Sequence, residues 1–442
     1  MTAVVAVDLG ASSARVCRVD LAARPPALEV VHRQPHQPAP DSAGHLRWDW
    51  DGLIAAVETG LATALDGGSV ASIGVDTWGV DYGLLDRAGC LVAPPYSYRD
   101  HRTDGYDKMV ARLGAERLYA TTGIQLQQIN TVFQLAAHDR AELSRARQLL
   151  MLPELLVHHL TGEVLGERSS AGTTGLVDIA TGEWSAELAE AVGVDPAILP
   201  PLHSAATPSG SWRGIPVHLV GGHDTASAVV AMAPSPHLGA AFVSSGTWLL
   251  VGREQDEPDL SQAARQANLT NEAGALGGIR LLRNLAGSWL IEQCRPSWGD
   301  AAVDELLAAA AAAGPVAARV DVADPRFLHP ADMLGEVTRA AGLAADAPAP
   351  TVVRCLVESM AAGSAQVLDQ LGGVTEVHVF GGGSRSALYR RCLADLTGLP
   401  VTAGPVEATA LGNALVQGIA LGVYDDLADA RSHLEPREEG AP

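Results

Sequence analysis

Asp224 is the residue around which a chemistry can first be written. It stands in the stretch IPVHLVGGHDTASA, residues 215–228, after the apolar, β-branched run Val217–Val220 and the pair Gly221–Gly222. The run predicts a buried strand, the glycines a tight turn, and the small residues Thr225–Ala228 the opening of a helix. His223, Asp224 and Thr225 then sit at the C-terminal end of a strand, where α/β folds keep their ligand sites. A carboxylate there can take the proton of a hydroxyl as a general base. The plainer alternative is that Asp224 only caps the helix.

A second acid opens the chain in AVVAVDLGASSARVCRVDL. Residues 3–7 read as a buried strand ending at Asp8, and Val16–Val19 as its return partner. Between them the small residues Leu9–Ala14 make a turn able to point several N–H groups at a phosphate, while Asp8 suits a magnesium ion held through water. An ordinary hairpin turn is the alternative, and the phosphate loop GxxxxGK[ST] is excluded, because Lys is absent and a strand follows. A third cluster, Asp76-Thr77-Trp78-Gly79-Val80-Asp81, ends a short strand at 70–75 and combines acids with an aromatic face, as carbohydrate sites do. Turn acids around a core Trp are its alternative. The polar run Arg99, Asp100, His101, Arg102, Asp104, flanked by Tyr96 and Tyr98, reads as a site wall or as a solvated loop. Gln127, Gln128 and Asn130 read as hydroxyl-binding amides or as turn caps.

Elements must position these groups. Trp50–Leu65 has helical periodicity with Asp51 as its cap, Leu28–Val31 reads as an edge strand, and His32 and His36 read as solvated. Helices fill 106–160, and LGERSSAGTTGLVDIATGEWS reads as a β-ribbon. The stretch 234–239 looks like a hinge. After it, AAFVSSGTWLLVG repeats the opening layout of strand, small polar turn (Ser244–Thr247) and strand, which suggests an internal duplication. GGIRLLRNLAGSWLIEQCR is a strand turning into a helix, with Asn284 near its start. A long helix follows with Thr351 as cap. EVHVF then enters Gly381-Gly382-Gly383-Ser384-Arg385-Ser386 before another helix, a layout that brings backbone close to a nucleotide. The small-residue helix in GPVEATALGNALVQGIALG is expected beside that glycine turn.

Composition bounds the rest. The chain has 442 residues, enough for two domains, with boundaries expected at 1–235 and 236–442. A hydrophobic fraction of 47% supports well-buried cores, and a formal charge of −21 argues against nucleic acid or an anionic membrane as partner. Lys108 is the only lysine, so arginine supplies nearly all fixed positive charge. Five widely spaced cysteines without a CxxC pair read as reduced thiols, and no leader or run of 18 apolar residues is seen, so a cytoplasmic protein is expected.

Taken in order, DLGASSAR, DTWGVDYGLL, YRDHRTDG, GGHDTASA, SSGTW, FGGGSRS and GPVEATALGNA resemble the FGGY carbohydrate kinases over nearly the whole chain. DTWGVD, YRDHRTDG, TGIQLQQINT and LLRNLAGSWLIE are most similar to the branch of that family acting on L-rhamnulose. The resemblance implies an α/β fold of two actin-like ATPase (ribonuclease H-like) domains with a cleft between them, ATP and Mg2+ as cofactors, and a small sugar as substrate, in a monomer or homodimer. It implies Asp224 as the base toward the ketose 1-hydroxyl and Asp8 as the metal's anchor. Ala11, Ser12, Ser13, Ala14 and Arg15 would face the ATP phosphates, Thr247 the γ-phosphate, and Gly382, Gly383 and Glu292 the adenosine. Gly79, His223, Thr225 and Asn284 would meet the sugar. The chain departs from the family pattern at Ala14, where glycine is usual, and at Glu292, where glutamine is usual. Kinases for L-fuculose, D-xylulose or L-ribulose, and an actin- or Hsp70-like ATPase, are the competing expectations.

Overall fold

The structure is a computed structural model that describes residues 2–234 and 239–434. Most of the stretch expected to be a hinge therefore lies outside the described residues. The chain divides into two units. The first holds residues 1–234, 254–281 and 408–435; the second holds 235–253, 282–407 and 436–442.

The first unit is built on β1 (Ala3–Gly10), β2 (Ser13–Asp20), β3 (Ala27–Pro35), β4 (Ile73–Thr77), β5 (Pro208–Trp212) and β6 (Ile215–His223), in the order β5–β6–β4–β1–β2–β3. β1 runs parallel to β4, and β4 to β6, while β2 returns antiparallel to β1. Every residue of β1 is buried, as expected of an unbroken Val/Ala run in a strand covered on both faces. Helix α1 (Trp50–Asp66) packs against β2 and β3; its cap is Asp49, which accepts from the Gly52 N–H, two residues before the expected Asp51. Helix α2 (Asp224–Val230) follows β6.

Two sequence expectations change here. Gly221 and Gly222 do not turn the chain: they lie inside β6 with negative φ, and their value is close approach. A Cβ on Gly221 would stand 2.8 Å from the Ser227 nitrogen, and one on Gly222 would stand 3.1 Å from Glu167 Oε2. The helix Ala408–Ala420 packs on α2 and on β1, β4 and β6 of the first unit. Gly412 lets it in, since any side chain there would collide with the Ser227 carbonyl. The expected ribbon at 165–185 is also shorter: a helical turn Arg168–Ala171 lies inside it, its hairpin pairing joins Val177–Asp178 to Glu183–Trp184, and Gly166–Glu167 pairs instead with Leu202–His203.

The second unit is built on β7 (Ala240–Ser245), β8 (Trp248–Gln255), β9 (Ile279–Ala286), β10 (Glu376–Phe380) and β11 (Val401–Ala403), in the order β9–β8–β7–β10–β11, although residues 254–255 of β8 and 279–281 of β9 belong to the first unit. This matches β3–β2–β1–β4–β6 position for position, each with a hairpin first and then strands parallel to the hairpin's opening strand. The duplication expected from two hairpins thus extends to five strands. Helix α3 (Ala349–Leu371) starts after Pro348 with no side-chain cap, so Thr351 does not serve as one. It packs against α4 (Ala387–Thr397).

Candidate functional site

In the first unit the chemistry gathers at the C-terminal ends of β1, β4 and β6. Ala11 and Ser12 form the two-residue connection between β1 and β2, since Gly10 pairs with Ser13. Ser12 is exposed, Ala11 and Ser13 are partly so, and Ala14 is buried at 1%, so only its backbone could serve a ligand. Asp8 and Arg15 stand opposite each other in the hairpin register, and Arg15 Nη2 donates to Asp8 Oδ1 at 3.2 Å.

Parallel pairing puts Asp76 beside Asp8. Both carboxyls are fully buried. Asp76 Oδ2 accepts from Asn413 Nδ2 at 2.6 Å, and Asn413 is held by Gln417, which also reaches the Val5 carbonyl. Burial raises the Asp76 acid well above its ordinary range, and the neighbouring Asp8 charge and then that of Asp224 push it the same way. Two buried carboxyls side by side fit a hard dication: the cation would relieve their repulsion, and oxygen is its preferred donor. Asp8 and Asp76 are the residues that would hold Mg2+. Asp76 was legible as a strand-end acid, but nothing local to it announced this pairing.

Among the described residues, one cluster places three possible ligand atoms within 4.8 Å of one another, His45, Asp100 and His101. Asp100 is already engaged there by the Leu46 N–H at 2.7 Å, the Arg102 N–H at 3.0 Å and the Arg102 guanidinium at 3.4 Å. Its carboxylate braces the loop.

Asp224 is the first residue of α2; the cap position belongs to His223, and no side chain caps the helix. The Asp224 carboxylate accepts from its neighbour Thr225, at 2.6 Å to the N–H and 3.2 Å to the hydroxyl, and keeps 28% of its surface exposed. Capping therefore does not account for it. His223 is 7% exposed, with Nε2 at 3.4 Å from Asp224 Oδ1. A Cβ on Gly79 would meet His223 Nε2 at 3.2 Å and Thr173 Oγ1 at 3.2 Å, so glycine there keeps the His223 face open. Gly79, His223, Asp224 and Thr225 are thus drawn into one place. Beside them Asp81 accepts from the indoles of Trp48 and Trp78 at 2.7 and 2.9 Å and from Gln134 at 3.1 Å. Burial lifts Asp81 to about 6 against those bonds.

The 96–104 stretch is largely buried, with His101 and Asp104 exposed. Tyr96, Ser97, Tyr98, Arg99, Asp100 and Thr103 are buried, and the Arg47 and Arg102 guanidinium carbons lie 3.6 and 4.0 Å from the Tyr96 ring centroid. His36 is not solvated either. It lies against Trp48 and Trp78, both at 5.4 Å between centroids, and burial lowers its pKa to about 4. Asn130 accepts from the Gln127 N–H and closes a turn, while the Gln128 amide donates to Asp104.

In the second unit the turn after β7 lies against the glycine run. Thr247 and Gly246 accept from the N–H groups of Gly287 and Ser288, which fixes the hairpin tip. Gly381 has φ +80°, and a Cβ on it would stand 2.7 Å from the Ser245 carbonyl, while one on Gly383 would overlap Ser245 Oγ. Gly382 faces open space. That space is a cavity of about 580 Å3, walled by Ile291, Leu307 and Ala308 with Glu292, Gly382 and Arg385 at its polar side. Its size and mixed lining suit a nucleoside. Glu292 lines it while paired to Arg295 at 2.7 Å. Asn284 lies inside β9, in the second unit, whereas the other expected sugar contacts belong to the first.

Comparisons with known proteins agree over this whole span. Residues 3–231 match the N-terminal domain, and residues 241–421 the C-terminal domain, of the FGGY family of carbohydrate kinases. The chain is 38% identical over 450 residues to a rhamnulokinase of Bacteroides thetaiotaomicron, covering 96% of this chain and 92% of that one. It is 40% identical over 455 residues to a rhamnulokinase of Pectobacterium carotovorum, covering 98% and 90%. Its fold is similar to that of a xylulose kinase from Lactobacillus acidophilus, with TM-score 0.80, 15% identity, and 99% and 93% of the two chains covered. Plasmodium falciparum glycerol kinase with ADP gives TM-score 0.77 at 15% identity, over 99% and 93%. The shared architecture is the actin-like ATPase fold.

Proposed function

The chain belongs to the FGGY family of carbohydrate kinases, and on that premise we propose that it transfers the γ-phosphoryl group of ATP to the 1-hydroxyl of L-rhamnulose. One observation carries the chemistry: Asp224 heads a helix without capping it and keeps its carboxylate partly open beside His223 and Gly79. The sugar assignment is supported by rhamnulokinase relatives at 36–40% identity over at least 96% of this chain.

Phosphoryl transfer asks the protein to position, neutralise and exclude water more than to make bonds. Asp224 takes the proton of the attacking hydroxyl. Gly79, His223 and Thr225 orient the sugar against the wall that Asp81, Trp78 and Tyr98 belong to. The N–H groups of Ala11, Ser12 and Ser13, with Arg15, meet phosphate oxygens, and Asp8 and Asp76 would hold Mg2+. When bound, the ion cancels phosphate charge that an acidic protein would otherwise repel. Thr247 serves the γ-phosphate, and the second unit's cavity takes the adenosine against Gly382 and Gly383. Asn284 and Glu292 are kept as a sugar and a nucleotide contact.

The test is ADP release with MgATP across ketoses. L-Rhamnulose is expected to give the highest kcat/KM. A higher value with L-fuculose, D-xylulose or L-ribulose overturns the sugar, and ADP release that no sugar stimulates overturns the kinase.

A further inference from the structure

Arg280 and Glu272 lie behind His223 in the first unit, 1% and 4% exposed. Neither sits in a stretch whose pattern suggests chemistry. Arg280 Nη2 stands 3.1 Å from Glu272 Oε2 and 3.2 Å from His223 Nδ1, and Arg280 Nε donates to the Ala273 carbonyl at 3.1 Å. The guanidinium is thus fixed at two points before it reaches the imidazole. Burial lowers the Arg280 pKa, and the charges of Glu272, Asp224 and Glu167 oppose that, Glu272 most.

A guanidinium has five N–H donors and no acceptor. The ring nitrogen that faces it must therefore offer a lone pair, which puts the imidazole proton on the other nitrogen. Glu272 Oε2 also lies 3.4 Å from Nδ1 and pulls the other way. The guanidinium is nearer, and that same carboxylate oxygen is engaged with it at 3.1 Å. On the far side of the ring, Nε2 faces Asp224 Oδ1 at 3.4 Å and the room left by Gly79.

We propose that Arg280, held in place by Glu272, is a positioning residue that locks His223 as the neutral Nε2–H tautomer, so that His223 donates to the substrate oxygen whose proton Asp224 accepts. A donor and an acceptor then stand side by side at the reacting hydroxyl, and neither can exchange roles by a ring flip or a proton shift. The proposal rests on Asp224 being the base.

The deciding measurement needs no sugar. Protein carrying 15N-histidine, with the His223 signals assigned by their loss in His223→Gln, is read by long-range proton–nitrogen correlation between pH 6.5 and 8.5. In the neutral ring a protonated Nε2 and a bare Nδ1 are expected; an Nδ1–H form overturns the proposal. A wrong sugar assignment leaves this spectrum unchanged, so the two failures are distinguishable. With the best sugar from the screen, Arg280→Met is expected to lower kcat at least tenfold with KM for ATP within twofold, and Arg280→Lys to recover most of it. If Arg280→Met keeps kcat within twofold, Arg280 does not position His223. Should that variant fail to fold, the wild-type spectrum and Arg280→Lys still decide.

Discussion

Asp224 and Glu154 are both carboxyls of the first unit, and their surroundings give them opposite duties. Asp224 is part-open and free of capping work. Asp224→Asn is therefore expected to leave the thermal midpoint within a few degrees while slowing kcat by about 10²–10⁴-fold, the usual worth of a general base. Retention of more than about half the wild-type kcat in a steady-state assay would count decisively against Asp224 as base. Glu154 is 2% exposed, and burial pushes it up to about 8 from 4.5, the hydrogen bond from Ser170 opposing and the Glu167 charge adding. Its folded pKa is raised, so between about 4.5 and 8 the folded state keeps a proton that the unfolded state has lost. Stability from this group is whole below that window and falls as pH rises through it. Glu154→Gln should flatten the dependence: melting curves between pH 5 and 8 should show the variant gaining on the wild type as pH rises. Asp224 and Asp8 were legible in sequence because strand-end acids beside glycine or small residues form a local pattern. Asp76's partner was not, because Asn413 lies 337 positions away. The one hint was an Asn and a Gln four apart on an otherwise apolar helix.

Glycines separate two uses at the level of the element. In the turn after β10 both Gly382 and Gly383 line the cavity, but only at Gly383 would an added Cβ overlap Ser245. Gly383→Ala forces an overlap in packed surroundings, a change costing about 1–3 kcal/mol, and should lower the midpoint by several degrees. Gly382→Ala meets nothing and should leave the midpoint within a degree or two, yet raise KM for ATP several-fold by intruding on the nucleoside. Differential scanning fluorimetry and an ATP titration check the pair; equal behaviour of the two variants would contradict the assignment. Here the sequence was informative about the elements and weak about their uses. Strand, three glycines and helix were readable by pattern. Yet Gly221–Gly222 looks the same on paper and serves approach to Ser227 and Glu167 inside a strand. Only the φ angles and neighbours distinguish a turn from a close contact.

At the scale of the whole molecule, the two-fold plan was visible in the repeated hairpins, but the return of the chain was not. Residues 254–281 and 408–435 belong to the first unit, and the helix Ala408–Ala420 lies on β1, β4, β6 and α2. A fragment ending at residue 234 should therefore expose the apolar face which that helix covers. It is expected to be insoluble or to lack a cooperative transition in calorimetry; a soluble fragment with a sharp transition would contradict this. Lengthwise pattern reading could not find it, because a small-residue amphipathic helix fits many surfaces and Gly412 names its partner only in three dimensions. The same threading sets a clock on the ribosome. The first sheet is complete when residue 223 has emerged, but its covering helix ends at residue 420, 197 residues later (420 − 223). At about 5–20 residues per second the nascent sheet waits roughly 10–40 s with that face bare, long enough for a holding chaperone to bind it before the covering helix arrives.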